Sequence, residues 1–287
     1  MVSGGRFSVL SRLPAAIVRA FLVILLVGLP SALLGSGTFD STLIIALAAI
    51  FAALFTFIEY SAISPSMVEF RDAPPFNRAR FAGLFAIVFC LVMIFQDAAS
   101  PSRITVIFQM TGAAVGEVID LPYSPVRLMV LMMPEDTDPA LLAQLRSAAG
   151  LSYLIALLSV IGFIILLRLQ RWPRRDDVFN VWVNLPTFDP TAGGDVVKRL
   201  QRDGRFNIIL GILLPFLVPV ALTLLLSLGA PISLQSAHTL IWTVATWAFL
   251  PASILMRGVA LTRVADMIAM QRMKARDRVG AGPLAGA

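Results

Sequence analysis

The sequence contains very little cysteine, histidine and charge. Its 287 residues include one cysteine, Cys90, and one histidine, His238, which excludes an intrachain disulfide, a Cys/His zinc site and a bis-histidine haem. Only 14% of the residues are charged and 58% are hydrophobic, whereas soluble domains average about 25% charged and 45–50% apolar residues. This composition excludes a soluble enzyme domain and a disordered chain. It predicts a polytopic membrane protein, and we expect no bound cofactor.

Six apolar segments approach the roughly 20 residues that a helix needs to cross the hydrocarbon core of a bilayer. They are Pro14–Leu34, Thr42–Tyr60, Phe81–Phe95, Leu151–Leu167, Ile208–Leu228 and Thr239–Met256. We predict an all-α bundle of six transmembrane helices, a single domain over residues 1–278, with a flexible tail at 279–287. As an alternative, the first segment is a cleaved signal peptide, because three arginines precede an apolar run and then small residues.

Basic residues are concentrated in alternate connections between these spans. The N-terminal segment, the connection between spans 2 and 3, the loop 168–207 and the C-terminal tail are rich in arginine. The connection 97–150 has three basic and six acidic residues, and the two remaining turns are acidic or uncharged. By the positive-inside rule, both termini are predicted in the cytoplasm. The predominance of arginine over lysine favours a bacterial inner membrane. The net charge of +6 is thereby explained, and we expect no nucleic-acid partner.

The longest connection on the predicted outer side is 97–150. Its apolar part, 103–133, contains two glycines and two prolines, which argue against a seventh span. Thr105–Val118 is predicted either as an amphipathic helix at the membrane interface or as a re-entrant stretch. Asp138-Pro139 is typical of a helix start, from which one helix is expected to continue through span 4 to Gln170.

Two predicted cytoplasmic loops combine aromatic residues, prolines and charges. The first loop is Ser64–Arg80 and the second loop is Trp172–Asn207, within which Asp195–Asp203 is predicted as a short helix that Gly204 ends. The prolines stiffen the first loop, which lowers the entropy that it loses on docking. We predict that it packs against the second loop or against a partner, although its aromatics are also typical of headgroup anchors. The candidate docking residues are Glu69, Phe70, Arg71, Asp72, Phe76, Asn77, Arg78 and Arg80.

Few polar groups fall inside the predicted spans. Glu59 lies near the cytoplasmic edge of span 2 and is expected to form an ion pair with a nearby arginine. His238 begins span 6 and is expected to be a polar group at a helix end. Pro215 and Pro219 interrupt span 5, and transporters use such broken helices to bind substrate. The sequence contains no recognisable catalytic motif and predicts no metal site.

These exclusions favour a non-catalytic accessory, assembly or scaffolding subunit of a membrane complex. The first alternative is a transporter or channel for a small uncharged or lipophilic solute. The second is a lipid-active membrane enzyme that would use Glu69, Asp72 and Asn77. The expected partners are the lipid bilayer and other membrane proteins.

Overall fold

The protein is all-helical in the computed structural model. The structure describes residues 3–35, 39–72, 74–96, 101–173, 181–189, 191–228 and 236–280, and the side chains of those ranges except 3–11, 39–41, 181–182 and 278–280. The helices are α1 (Ser3–Leu34), α2 (Phe39–Ser61), α3 (Phe76–Phe95), α4 (Arg103–Ile119), α5 (Pro125–Leu131), α6 (Pro139–Leu169), α7 (Val181–Asn184), α8 (Val196–Ser227) and α9 (Ala237–Gly280). No strand occurs within these ranges, and the predicted all-α class is confirmed.

Six of the helices, α1, α2, α3, α6, α8 and α9, are long and apolar enough to cross a membrane. They correspond one for one to the predicted spans, so the six-helix fold is confirmed, while the cytoplasmic placement of the termini stays a prediction. Helix α9 continues to Gly280, well beyond the predicted end of span 6. The rest of the predicted flexible tail, 281–287, lies outside the described residues.

The arginine-rich connections meet at one end of the bundle, which we call the basic end. There the side chain of Asp195 accepts hydrogen bonds from the N–H of Val197, which caps α8, and from Arg272 of α9 at 2.7 Å. The hydrogen bond from Arg272 holds the pKa of Asp195 below its usual value. At the opposite end, Gln144 of α6 donates to the carbonyl oxygen of Ile94 in α3. Each end is therefore tied together by side-chain hydrogen bonds.

Helices α3, α6 and α9 form the centre of the bundle, and their apolar residues make up most of the buried core. Helix α8 packs along α9. Helices α1 and α2 form a hairpin in which α2 packs mainly against α1, and α1 in turn contacts α3. The hairpin is thus a peripheral unit, attached to the centre mainly through α1.

The predicted short helix Asp195–Asp203 is wrong, because Gly204 does not end it. Asp195 caps the helix as expected, but the helix continues through Gly204 and becomes the fifth span. A Cβ atom on Gly204 would lie 2.6 Å from the hydroxyl oxygen of Thr262 and 3.1 Å from the carbonyl oxygen of Gly258. Glycine stands at this position because α9 passes too close for a side chain.

One further boundary differs from the prediction, and two others agree with it. Helix α3 begins at Phe76, five residues before the predicted Phe81, because its first turn is polar and does not resemble a membrane segment. Helix α4 covers the predicted Thr105–Val118, and α6 begins at the predicted Asp138 cap. Helix α4 packs against the last turn of α3 and the early turns of α6, with Gly116 touching Gly150. This position favours the interfacial helix over the re-entrant stretch.

Candidate functional site

The turn between α2 and α3 is built around two charged side chains from the predicted set. The carboxylate of Glu59 accepts hydrogen bonds from the backbone N–H groups of Ser66, Met67 and Val68 at 2.9–3.2 Å and from the hydroxyl of Ser66. Instead of pairing with an arginine, as predicted, Glu59 therefore fixes the backbone of the turn. Carboxylates accepting several backbone N–H bonds are strongly stabilised in the charged form, which explains a buried glutamate here.

Arg71 closes the other side of the same turn. Its buried guanidinium donates to the carbonyl oxygens of Glu59, Ala62 and Ile63 at 2.6–3.1 Å, so it caps the end of α2. It also makes two hydrogen bonds of 3.1 Å to the carboxylate of Asp72. Arg71 and Asp72 are therefore engaged in holding the turn and leave little capacity for a partner.

Phe70 and Phe76 lie inside the bundle. Their ring centroids are 4.6 Å apart, and Phe70 also contacts Trp172 at 5.8 Å, while Phe76 contacts Phe163 at 5.7 Å. The N–H of Phe70 donates to the carbonyl oxygen of Asn184 at 2.7 Å, so this part of the first loop packs against the second loop. Both rings are fully buried, and neither is available to a partner on the surface.

Glu69 is the centre of a polar network that joins both loops to the helices. Its carboxylate accepts two hydrogen bonds from Arg257 of α9, at 2.6 and 2.8 Å, and one from the hydroxyl of Thr187 at 2.8 Å. Arg257 also donates to the side-chain oxygen of Asn207 in α8 at 3.1 Å. Asn77 donates to the backbone oxygen of Glu69 at 2.8 Å. Bidentate Arg–carboxylate pairs of this kind fix geometry as well as supply energy.

Beside this network, a large groove separates the α1–α2 hairpin from α3 and α9. Its volume is about 1180 Å³, which exceeds the roughly 300–1,000 Å³ of typical small-molecule pockets. The walls are mostly apolar, and they are formed by residues within 14–26 of α1, 55–60 of α2, 67–84 of the first loop and α3, and 249–257 of α9. Val18, Phe55 and Leu250 line the groove and are also exposed, so it opens sideways at the depth of the spans.

The groove reaches from the basic end to about the middle of the bundle. Twelve residues separate Pro14 from Leu26 on α1, which corresponds to about 18 Å of helix. The hydrocarbon core is about 30 Å thick. The apolar walls are therefore long enough to cover a flexible hydrocarbon chain that lies along α1.

Positive charge lines the groove near the basic end. Its walls contain five arginines and a single carboxylate, Glu69. Arg257 is held by Glu69, and Arg71 by Asp72 and the carbonyl groups of α2. Neither Arg78 nor Arg80 is in an ion pair among the described residues, and the buried Nε atom of Arg80 has no hydrogen-bond partner there. The guanidinium of Arg80 instead lies over the ring of Phe76 at 5.1 Å.

The other predicted intramembrane positions, Pro215, Pro219 and His238, do not line the groove. Pro219 lacks an N–H, which leaves the carbonyl oxygen of Pro215 without its helical donor. The indole N–H of Trp247 in α9 donates to that oxygen at 2.9 Å, so the interruption is satisfied within the bundle. His238 lies at the opposite end, where its Nε2 has no hydrogen-bond partner among the described residues.

Arg257 belongs to the Glu69 network, and Trp247 joins α9 to α8; neither was predicted from the sequence. Both residues belong to α9. Arg257 lies more than 180 residues after Glu69 in the sequence. One signal was available for Arg257, which follows the apolar segment of span 6 directly. The partner of such an arginine depends on tertiary contacts that local spacing does not encode.

Among the described residues there is no group of three or more His, Cys, Asp or Glu side chains that could hold a metal ion. The carboxylates that the enzyme alternative would use, Glu69 and Asp72, are both in ion pairs with arginines. Comparisons with protein-family models, curated proteins and solved structures found no match. The groove and its charges are therefore the features of this structure that bear on function.

Proposed function

We propose that this protein is a non-catalytic membrane protein that binds a lipid-like amphiphile in the groove between the α1–α2 hairpin and α3 and α9. The observation that carries the proposal is a large groove that combines apolar walls with a cluster of arginines at one end. A molecule with a hydrocarbon tail and a polar headgroup would fit such a groove, with its tail against the apolar walls and its headgroup near the arginines. The sideways opening supports entry from the bilayer, where such molecules are dissolved.

The shape of the groove favours binding over passage across the membrane. Its lining residues extend along α1 only to Leu26 and along α3 only to Leu84. A transporter or channel needs a path that leads to both sides of the membrane, whereas a lipid-binding site can be confined to one side. The groove also begins where the first loop is fixed by Glu59 and Arg71, which supplies a rigid floor.

The proposal differs from the scaffold hypothesis in what the first loop does. The aromatic residues that suggested partner docking are used to hold the loop against the bundle. A rigid loop of this kind preorganises the charged end of a binding site, which lowers the entropy lost when a ligand binds. The loop therefore supports ligand binding without a protein partner.

Two neighbouring positions on α1 provide a matched test. Val18 lines the groove and Ile17 does not, yet both side chains are 57% exposed. The replacement Val18→Trp places a large ring in the groove, whereas Ile17→Trp adds the same ring on another face of α1. We expect Val18→Trp to lower the amount of co-purified lipid about tenfold, equivalent to about 1.4 kcal/mol of binding free energy, and Ile17→Trp to leave it unchanged.

The measurement is native mass spectrometry of the full chain released from a mild detergent, with the bound lipid counted per protein. Equal lipid retention by the parent and both variants would contradict binding in the groove. Equal loss in both variants would also contradict it, because the effect would then come from the general surface of α1.

A further inference from the structure

We infer that the groove selects an amphiphile whose headgroup carries an anionic phosphate, and that Arg80 is the residue that binds this phosphate. The inference depends on the proposed function, because it names the chemistry of the molecule that the groove would bind. Its basis is the set of arginine charges that the fold leaves without a partner.

Arg80 is partly buried, whereas Arg78 is exposed to water. The Nε atom of Arg80 is buried and has no hydrogen-bond partner in the part of the chain that the structure describes. The guanidinium lies 5.1 Å from the ring centroid of Phe76 and 6.0 Å from that of Phe249. A cation removed from water without a counter-charge is unfavourable, and cation–π contacts offset only part of that penalty. An anion in the groove would supply the missing charge.

The carboxylate of Glu69 does not already fill this role. It lies close enough to interact electrostatically with Arg80, but its oxygens accept two hydrogen bonds from Arg257 and one from Thr187. No hydrogen bond or ion pair joins Glu69 to Arg80 among the described contacts. The Glu69–Arg257 pair therefore forms one boundary of the groove, and the positive charge of Arg80 remains available to a ligand.

A second guanidinium faces the same region from the opposite wall. Arg19 of α1 lies 4.5 Å from the ring centroid of Tyr60 and donates to the carbonyl oxygen of Ala15 at 2.9 Å. Arg19, Tyr60 and Arg80 all line the same groove. A phosphate carries several acceptor oxygens and pairs well with planar guanidinium groups, so Arg19 is the second candidate to bind the headgroup.

The depth of Arg80 matches the place of a lipid phosphate. It lies four residues after the start of α3 at Phe76, which is about 6 Å along the helix. Apolar wall continues beyond it to Leu84, so a tail attached to a phosphate at Arg80 would lie against that wall. A free phosphate ion would satisfy the arginines but would leave the exposed apolar walls uncovered. A zwitterionic headgroup would bring an ammonium group close to the arginines, which is unfavourable.

The test compares lipids that share the same acyl chains and differ only in the headgroup. The probes are phosphatidic acid, phosphatidylglycerol, phosphatidylcholine and diacylglycerol, and inorganic phosphate is added as a tail-free probe. Binding to the full chain is followed by native mass spectrometry and by the shift in thermal unfolding. For the parent protein we expect the two anionic lipids to bind roughly ten- to a hundredfold more tightly than diacylglycerol, which has no phosphate to accept one or two charge-assisted hydrogen bonds. We also expect them to bind more tightly than phosphatidylcholine, because its ammonium group is repelled by the arginines.

Four variants connect that preference to the groove. Arg80→Gln should reduce the anionic preference about tenfold, and Arg80→Lys, which keeps the charge, should reduce it less. Arg19→Gln removes the charge on the opposite wall and should also reduce it, which provides a test if Arg80→Gln does not fold. Arg168→Gln is the control, because Arg168 is exposed at the same end of the bundle and does not line the groove. It should leave the preference unchanged.

The outcomes separate this inference from the proposed function. If Arg80→Gln and Arg19→Gln keep the anionic preference while Val18→Trp removes lipid binding, the phosphate assignment is overturned and the groove remains a lipid site. If Val18→Trp changes no lipid's binding, both ideas fail. If inorganic phosphate stabilised the protein as much as phosphatidic acid does, the assignment of a lipid ligand would be overturned, and the groove would be a site for a free anion. A loss of preference in Arg168→Gln equal to that in Arg80→Gln would show that general surface charge is responsible.

Discussion

Pro219 in α8 allows a hydrogen bond between α8 and α9. Because it has no backbone N–H, the carbonyl oxygen of Pro215 is free to accept from the indole N–H of Trp247 at 2.9 Å. Trp247 is almost completely buried and stacks on Tyr153, with ring centroids 5.8 Å apart. In the sequence, Pro219 suggested a broken helix that binds substrate. In the structure, it allows a hydrogen bond that joins α8 to α9.

This arrangement predicts an interaction between two substitutions. Trp247→Phe should destabilise the parent protein, because it leaves the Pro215 oxygen without a donor. In a Pro219→Ala background, the backbone N–H of the introduced alanine can donate to the Pro215 oxygen. The same Trp247→Phe change should then lower the free energy of unfolding by less. We expect a coupling free energy of about 0.5–2 kcal/mol in a double-mutant cycle, measured by unfolding in detergent. A coupling close to zero would mean that the indole hydrogen bond contributes nothing to stability.

At the scale of elements, the close approach of α8 and α9 depends on glycines that face each other. A Cβ atom on Gly258 would lie 2.7 Å from the carbonyl oxygen of Gly204 and 2.9 Å from the backbone nitrogen of Ile208. Backbone atoms cannot move aside as flexible side chains do, so the two helices would have to separate. Small residues of this kind let helix backbones approach in membranes, where packing drives association.

The prediction for this helix pair has a control within the same protein. Gly258→Ala should destabilise the fold by about 1–3 kcal/mol, the typical effect of overpacking. Gly162→Ala on α6 should be neutral or slightly stabilising, because a Cβ atom at that position would meet no described atom within 4 Å and alanine favours helix. Thermal unfolding of both variants in the same detergent provides the comparison. Equal stability of the two variants would contradict the close contact between α8 and α9.

The helical elements were largely predictable, and their contacts were not. Long apolar segments predicted all six spans, and Asp138 predicted the start of α6, because length and capping are local properties. Gly204 misled the prediction, since a glycine that ends a helix and one that admits a neighbouring helix look alike in sequence. The Glu69–Arg257 pair and the groove depend on residues far apart in the chain, and neither has a local pattern.

At the scale of the whole molecule, arginine is collected at one end of the bundle, and the positive-inside rule predicts that this end is cytoplasmic. The orientation can be tested because the only native cysteine, Cys90, is buried and should not react with a membrane-impermeant maleimide. Thr191 at the basic end and Glu135 at the opposite end are both exposed. They are therefore suitable sites for single cysteines.

We expect Thr191→Cys to be labelled only from the cytoplasmic side of sealed vesicles and Glu135→Cys only from the other side. The parent protein, which keeps Cys90, is the control and should remain unlabelled in both orientations. Labelling of both introduced cysteines from the same side would contradict a bundle that crosses the membrane between them. Labelling of each from the side opposite to the one expected would reverse the predicted orientation.

The groove ends near the middle of the bundle, and under the proposed function this would limit which lipids can reach it. A groove of this extent would exchange lipids with only one leaflet, because lipids cross slowly from one leaflet to the other without assistance. With the predicted orientation, that leaflet is the cytoplasmic one. The occupancy of the groove would then follow the lipid composition of a single leaflet, so a change in membrane asymmetry would alter the protein even when the total lipid content stays constant.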